Sequence, residues 1–317
     1  MQSIHIIEDT LPAAWENAVV KCWEVGESFP TEYDKPNDPN SRDVTALIHV
    51  KNPMKEPRIH RAFPGGLDDL EKYRSEVLYG VHDHWCDPGA GKWNYTYHSR
   101  LFNYSVPGKP TIDQVAAVID ALKKCGYTRR AQAVTWKAWE DLGISDPSCL
   151  QRLWFRIQND KCIQCNGTGI EIWDHEVSDT SDCSRKCPYC NGKGNIPKLN
   201  MNIHIRSNDA FLAGYMNCYA FVELQAWIAE QLGVEVGEYI HIADSFHIYG
   251  AYFERIEGFL KTIEDRDYSD RVYDTEFALP FFIDGCDTLL GEADMPSDKR
   301  ELVLRRKASL ENQIASL

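Results

Sequence analysis

No run of 18 apolar residues occurs anywhere in the 317-residue sequence, which argues against a helix spanning a bilayer. The opening stretch MQSIHIIEDTLPAAW lacks the basic segment and apolar core of a secretory signal. A soluble, cytoplasmic protein with no membrane partner is therefore expected. Positive charge is scarce: the formal net charge is −14, which makes nucleic acid an unfavourable partner, although a local basic pocket can still take a phosphate. A disulfide framework fits poorly too. The eleven cysteines are odd in number and four of them form two Cys-x-x-Cys pairs, a pattern that suits metal ligation and free thiols in a reducing compartment. Also missing is the regular strand–helix alternation of a doubly wound sheet.

The 43% hydrophobic content is enough for a sizeable core. Residues 26–43, rich in Pro, Asp, Asn and Ser, read as a loop after a short opening helix. TALIHVKN, from Thr45, reads as a strand, and LDDLEKYRSEVLY, from Leu67 to Tyr79, places apolar groups at helical spacing. TIDQVAAVIDALKKCGY predicts a second helix opening at Thr111, where Thr-x-x-Gln resembles a capping box. AQAVTW, LQRLWFRIQ, LNMNIHIRS and YIHIADS read as strands, and a long helix is expected from about Asp209 to Leu232. The sum is an α+β fold: a mixed sheet with flanking helices.

Residues 161–198 break this pattern. They hold both Cys-x-x-Cys pairs, are glycine-rich, have little apolar periodicity and lie between two strand-like runs, so they read as a module inserted in a hairpin turn. The main domain is then 1–160 with 199–317. Cys162-Ile-Gln-Cys165-Asn-Gly-Thr-Gly and Cys187-Pro-Tyr-Cys190-Asn-Gly-Lys-Gly repeat one pattern, C-x-x-C-x-G-x-G. Two such knuckles, with glycines free to adopt φ > 0, complete a tetrahedral S₄ site for Zn²⁺. With all four positions filled by protein, that zinc is structural. Cys183 has a poorer spacing for a ligand. The module resembles the zinc-binding segments of the DnaJ chaperone family, a similarity confined to the insertion.

The second half gathers Asp146-Pro-Ser-Cys149, Arg206-Ser-Asn-Asp209, Asn217, and Asp244-Ser-Phe-His247-Ile-Tyr249. Upstream stand YRSEVLYG with Glu76, Tyr97 fifteen residues before Ile112, and IDQVAAVIDALKKCGYTRRAQAVTW with Arg129 and Arg130. In this order the elements resemble the thymidylate synthase and pyrimidine nucleotide hydroxymethylase family, from about Asp43 to Tyr249. The resemblance implies a homodimeric fold and a uracil nucleotide, dUMP first, as substrate, with methylenetetrahydrofolate as one-carbon donor. It assigns Cys149 as nucleophile, Glu76 and Tyr97 as proton handlers, and Asp209 as an anchor for pyrimidine or folate. Trp85 would shield the folate. Arg206 and Ser207 would hold phosphate, joined by Arg129 and Arg130 from the partner subunit and by Arg42 from the N-terminal side. His247 and Tyr249 would reach the sugar hydroxyl.

The residue types suit this chemistry on their own terms. Uracil C5 is unreactive until a nucleophile adds to C6, and a thiolate adds and leaves readily. A cation such as Arg206 beside Cys149 would activate it. Asn217 can hold N3–H and O4 of uracil, or with its amide rotated, cytosine; relatives acting on cytosine typically carry Asp there, which favours uracil.

Departures from the family pattern are Leu150 where many members have histidine, Ile205 in place of a usual glutamine, and a C-terminal SLENQIASL in place of a short apolar tail over folate. Three outcomes follow: methylation of dUMP to dTMP, 5-hydroxymethylation of dUMP or UMP through the same intermediate trapped by water, or a catalytically silent zinc-containing binding protein. Methylation is placed slightly ahead, with the C-terminal helix or a neighbouring loop as a different lid.

Overall fold

Every second residue of Leu199, Met201, Ile203 and Ile205 is fully buried, as are Leu153 and Phe155 on one neighbouring strand and Tyr239, His241 and Ala243 on another. That period of two makes one face of a sheet the floor of the core. The computed structural model describes residues 1–172 and 184–317; Cys183 lies outside the described residues. The chain opens with β1 (Ser3–Glu8), α1 (Leu11–Val25), β2 (Glu27–Phe29), β3 (Ser41–Val50), β4 (Ile59–His60) and α2 (Leu67–Tyr79). It continues through α3 (Tyr97–Phe102), α4 (Gln114–Lys124), β5 (Gln132–Val134), α5 (Ala138–Asp141), β6 (Leu150–Lys161), β7 (Ile170–Ile172) and β8 (Ser184–Lys186). Then come β9 (Asn195–Asp209), α6 (Gly214–Leu232), β10 (Glu235–Ile248), α7 (Phe253–Asp265), β11 (Val272–Tyr273), α8 (Thr275–Leu290) and α9 (Ser297–Ala315).

The main sheet has the order β1-β3-β10-β9-β6-β5, with β2 beside β3. It is mixed: β1 with β3 and β9 with β10 are parallel, the other pairs antiparallel. Helices α1, α4 and α6 pack on the core face. The opposite face carries Arg152, Trp154, Arg156, Asn202 and His204, which stay half-buried or exposed. The β6–β9 ladder runs out to Lys161 opposite Asn195, so the cysteine segment caps this hairpin. Among the described residues no helix is long and apolar enough to cross a membrane.

Several boundaries differ from the sequence expectations for physical reasons. The expected loop 26–43 contains β2, which pairs with Ser41–Asp43, so only its middle is irregular. The opening helix is preceded by β1. The capping box at Thr111 does not form. Ile112 is held in an isolated bridge to Tyr104, Asp113 caps α4 by accepting from the Ala116 N–H at 2.9 Å, and Gln114 is committed to Arg100 and Val134. The long helix begins at Gly214, not near Asp209, because Asp209 pairs with His247 as the last residue of β9. From there its Oδ1 accepts from the N–H groups of Phe211 and Leu212.

Outside this layer lie α2, α8 and α9. Gly285 lets α8 approach α2: a Cβ there would sit 2.7 Å from the Asp68 carbonyl oxygen. Between the helices is a buried ionic network. Arg58 Nη2 donates to Glu223 Oε1 at 2.7 Å, Arg74 Nε to Glu223 Oε2 at 3.0 Å, and Arg74 Nη1 to Glu71 Oε1 at 3.2 Å. Arg306 of α9 closes a two-pronged contact on Glu71 at 3.0 and 2.8 Å. Burial alone would raise the Glu223 carboxyl, but the guanidinium groups of Arg58, Arg74 and Arg306 hold it down at about 2, against an ordinary 4.5.

This depressed value makes Glu223 stabilising above its unfolded pKa, and that contribution is lost as pH falls from about 4.5 toward 2. Glu223→Gln, which strands buried Arg58 and leaves Arg74 only Glu71, should cost about 3–5 kcal/mol at neutral pH. It should also flatten the acid limb of stability in urea unfolding followed by circular dichroism. An unchanged midpoint would remove the network from the stability of the fold.

Candidate active site

The site forms where β3, β6, β9 and β10 end side by side. The ladders shift register between Leu150 and Arg152 and between Ala243 and Phe246, and such bulges re-aim side chains at strand ends. Cys149 precedes β6 by one residue and is anchored by the backbone bond from Arg206 N to its own carbonyl at 2.9 Å. The Arg206 guanidinium donates to the Pro147 and Ser148 carbonyls at 2.7 and 3.1 Å and lies 3.7 Å from Cys149 Sγ. The Tyr95 hydroxyl accepts from the Cys149 N–H at 3.3 Å. Burial raises the thiol above its ordinary range, while the Arg206 charge and the Tyr95 hydroxyl pull it down without overcoming burial. Arg206 therefore moderates the cost of a thiolate here but does not by itself produce one.

Two clefts are walled by neighbours of Cys149, Tyr95 in one and Tyr249 in the other. One, of about 260 Å³, is walled by Glu76, Trp93, Asn94, Tyr95, Tyr97 and Asp146. Tyr73, Tyr95 and Tyr97 cluster there, and burial holds the Tyr73 and Tyr97 hydroxyls well above their usual range, with the nearby Cys149 adding to the shift. The Tyr73 hydroxyl donates to Asn217 Oδ1 at 2.6 Å, leaving that carbonyl's second lone pair and the amide for a ligand. Glu76 lies 3.1 Å from His82 Nδ1, and His82 stacks on Trp85 with centroids 3.9 Å apart.

The second cleft, about 300 Å³, is lined by Ser207, His247, Tyr249, Tyr33, Ser41 and Asp43, among others. His247 and Tyr249 meet edge to face at 4.7 Å. Burial pushes Asp209 up and His247 down, toward their neutral forms, against their mutual attraction. Burial and the charges of Asp209 and Cys149, among others, push the Tyr249 hydroxyl up to about 12.

Cys149 and Arg206 are thus in contact, with Glu76 on one cleft and His247 and Tyr249 on the other. The family model described as Thymidylate synthase matches residues 67–268. The chain belongs to the thymidylate synthase family. Proteins of Methanocaldococcus jannaschii and Methanosarcina mazei named "Putative thymidylate synthase" are 26% and 22% identical over 250 residues, covering 77% and 79% of this chain and 90% and 91% of theirs. A thymidylate synthase of Streptococcus sanguinis is 29% identical over 98 residues, 29% of this chain and 35% of its own. Membership makes the protein a one-carbon transferase.

Of the three expected departures from the family pattern, two are coupled: Leu150 and Ile205 face each other across β6 and β9, both fully buried. They form an apolar cross-strand pair. Arg42 is not brought to Cys149. It stands on the face of β3 that carries buried Val44 and Ala46 and stacks over Trp23 at 4.6 Å, while Ser41 and Asp43 turn to the cleft. Arg129 and Arg130 are also far from their own thiol. They adjoin Ala131, which bonds to Phe155, six residues and roughly 20 Å along β6 from Cys149.

Sequence reasoning missed Tyr73, Tyr95 and His82, although the Tyr-x-Tyr spacing at 95–97 held a signal for the second. The four cysteines of the insertion do converge: the sulfurs of Cys162, Cys165, Cys187 and Cys190 lie within 4.8 Å of one another, with Cys162–Cys187 at 3.9 Å and Cys165–Cys190 at 3.7 Å. Zn–S bonds of about 2.3 Å in a tetrahedron require sulfurs about 3.8 Å apart, so these thiols fit zinc.

Because Arg206 lowers the Cys149 thiol against burial, Arg206→Gln should raise it further and slow alkylation of the Cys149 peptide by iodoacetamide at pH 8, read by peptide mass spectrometry. An unchanged rate would separate the arginine from the thiol.

Proposed function

We propose that the protein transfers the methylene group of methylenetetrahydrofolate to C5 of dUMP and releases dTMP. The observation that supports this reading is Cys149 Sγ with Arg206 3.7 Å away, its partner Tyr95 walling a cleft with Glu76 and Tyr97 and the adjacent Ser207 walling one with His247 and Tyr249. Arg206 and Ser207 take the phosphate, His247 and Tyr249 the sugar hydroxyl, and Asn217 the pyrimidine edge. Cys149 adds to C6, and the electron pair passes through C5 to O4 as an enolate. C5 then bonds to the folate methylene and loses its proton through Glu76, Tyr97 and bound water. The methylene's bond to N10 opens before C5 attacks and its bond to N5 breaks as the C5 proton leaves, expelling tetrahydrofolate; hydride from that tetrahydrofolate then completes the methyl group as Cys149 departs, leaving dihydrofolate.

Trp85 and Trp93, perpendicular with centroids 5.1 Å apart at the rim, offer aromatic faces for a pterin ring, and Asp209 supplies a polar anchor. Arg129 and Arg130 serve a second copy of the chain in a homodimer. In support, the Arg129 carbonyl accepts from Trp154 Nε1 at 3.2 Å, beside the sheet face that lacks a buried layer. The four-cysteine module holds one structural Zn²⁺.

One observation favours the hydroxymethyl product of dUMP or UMP as a second reading. The C-terminal helix docks through Arg306 on Glu71, about 140° around α2 from Glu76, so it does not close over the thiol and water can reach the methylene.

Incubation with dUMP and methylenetetrahydrofolate, followed by mass analysis of the nucleotide, should give dTMP with one dihydrofolate per turnover. A product heavier by one oxygen, with tetrahydrofolate returned, would establish the second reading. Cys149→Ser should abolish both turnover and the covalent complex with 5-fluoro-dUMP while the nucleotide still binds; an active serine variant would remove Cys149 from the mechanism.

Metal analysis of protein prepared without chelators should find about one zinc per chain. Cys187→Ser should lose it and become protease-sensitive within the module while the main sheet keeps its circular dichroism. A metal-free preparation would sink the zinc assignment.

A further inference from the structure

The segment 291–296 joins α8 to α9 and lies beyond the residues matched by the family model, yet it reaches the Glu76 wall of the cleft. Glu292 Oε1 lies 3.3 Å from His82 Nε2, while His82 Nδ1 lies 3.1 Å from Glu76 Oε2. An ionised carboxylate cannot donate, so each contact needs an N–H on the ring, and only the doubly protonated imidazolium serves both. The ring lies nearly parallel to Trp85, at 10° and 3.9 Å, where a cation over an indole face is favourable.

The same segment makes a second contact. Asp294 Oδ2 accepts from Trp85 Nε1 at 3.1 Å and lies 3.3 Å from His84 Nε2. Arg300 secures the segment from behind, its Nη2 donating to the Glu292 carbonyl at 2.7 Å. Glu292 Oε2 is buried with no hydrogen-bond partner among the described residues, so the imidazole supplies that carboxylate's bond. Of the charged groups near the ring, Glu76 comes from α2, Asp83 and His84 from the turn after it, and Glu292 and Asp294 from the segment. Asp83 is engaged by Thr96 and His98.

We infer that His82, charged and held between Glu76 and Glu292, is the positioning residue that aims Glu76 into the cleft. The 291–296 segment thereby becomes part of the reaction site. This rests on the reading of Glu76 as a proton handler. Burial lowers the His82 pKa, but the bonds and charges of Glu76 and Glu292 outweigh it and leave it above the ordinary 6.5. As pH rises through that value one N–H is lost, the ring can hold only one carboxylate, and Glu76 loses its fixed aim. Removing the Glu292 charge moves this loss to lower pH.

The test uses the full chain with dUMP and methylenetetrahydrofolate. It compares kcat/KM against pH for the wild type, Glu292→Gln, His82→Gln and Glu76→Gln, with ¹⁵N spectra of the histidine rings at pH 6. The covalent complex with 5-fluoro-dUMP reports that each variant is folded. The wild type should show two ring N–H groups on His82, and Glu292→Gln should shift the alkaline fall to lower pH. Above that fall the variant should lose roughly tenfold to a hundredfold in kcat/KM, as misplacement of a reacting group does. His82→Gln should remove the fall and lower kcat throughout. A singly protonated His82 at pH 6, or superimposable profiles for Glu292→Gln and the wild type, would overturn the inference. If Glu76→Gln turned over normally, the reading of Glu76 would fall and the inference with it; a dead Glu76→Gln beside an unaltered Glu292→Gln would overturn the inference alone.

Discussion

Two carboxylates buried on facing helices, Glu71 on α2 and Glu223 on α6, constrain how the helical layer can assemble. Neither can be left without a cation, because an unpaired buried charge costs several kcal/mol. Arg74 bridges both, Arg58 arrives from the chain before α2, and Arg306 arrives from the last helix. The network therefore fixes α2 against α6 and draws α9 onto them. Since α2 carries Tyr73 and Glu76 and α6 carries Asn217, the placement of the pyrimidine edge and of the proton handler follows from a salt-bridge register on the far side of the same helices.

The thiol itself depends on a different layer. Cys149 is set by the bulged ends of β6, β9 and β10, not by the helices, so the nucleophile and the groups facing it belong to separate structural units that meet at the cleft. The apolar pair Leu150–Ile205 belongs to the sheet side. Both side chains are apolar, so this pair offers no side-chain hydrogen-bonding group beside Cys149.

Much of this was legible because it is periodic or repeated. Strand alternation gave the long strands, helical spacing gave α2 to the residue, and duplicated knuckles gave the four converging thiols. Arg42 was misplaced because its role depends on strand parity: once β3 starts at Ser41, Arg42 must share the face of Val44. Asp209 was read as opening a helix because its turn-forming bonds to Phe211 and Leu212 mimic a cap, whereas its pairing with His247 is a tertiary fact. Glu292 lies 210 residues from the histidine it touches, and no local pattern could announce that contact.

The two cysteine knuckles also constrain each other. Both Gly169 and Gly194 sit at positive φ, and a Cβ on Gly169 would stand 2.3 Å from the Gly192 carbonyl oxygen, while one on Gly194 would stand 2.4 Å from that of Gly167. Each copy of the motif thus occupies the space that a side chain on the other would need. The halves of this small clasp are not free to drift separately: a larger residue accepted in one must be answered by a backbone shift in its twin. Mutational tolerance here is a property of the pair, even where only one knuckle is altered.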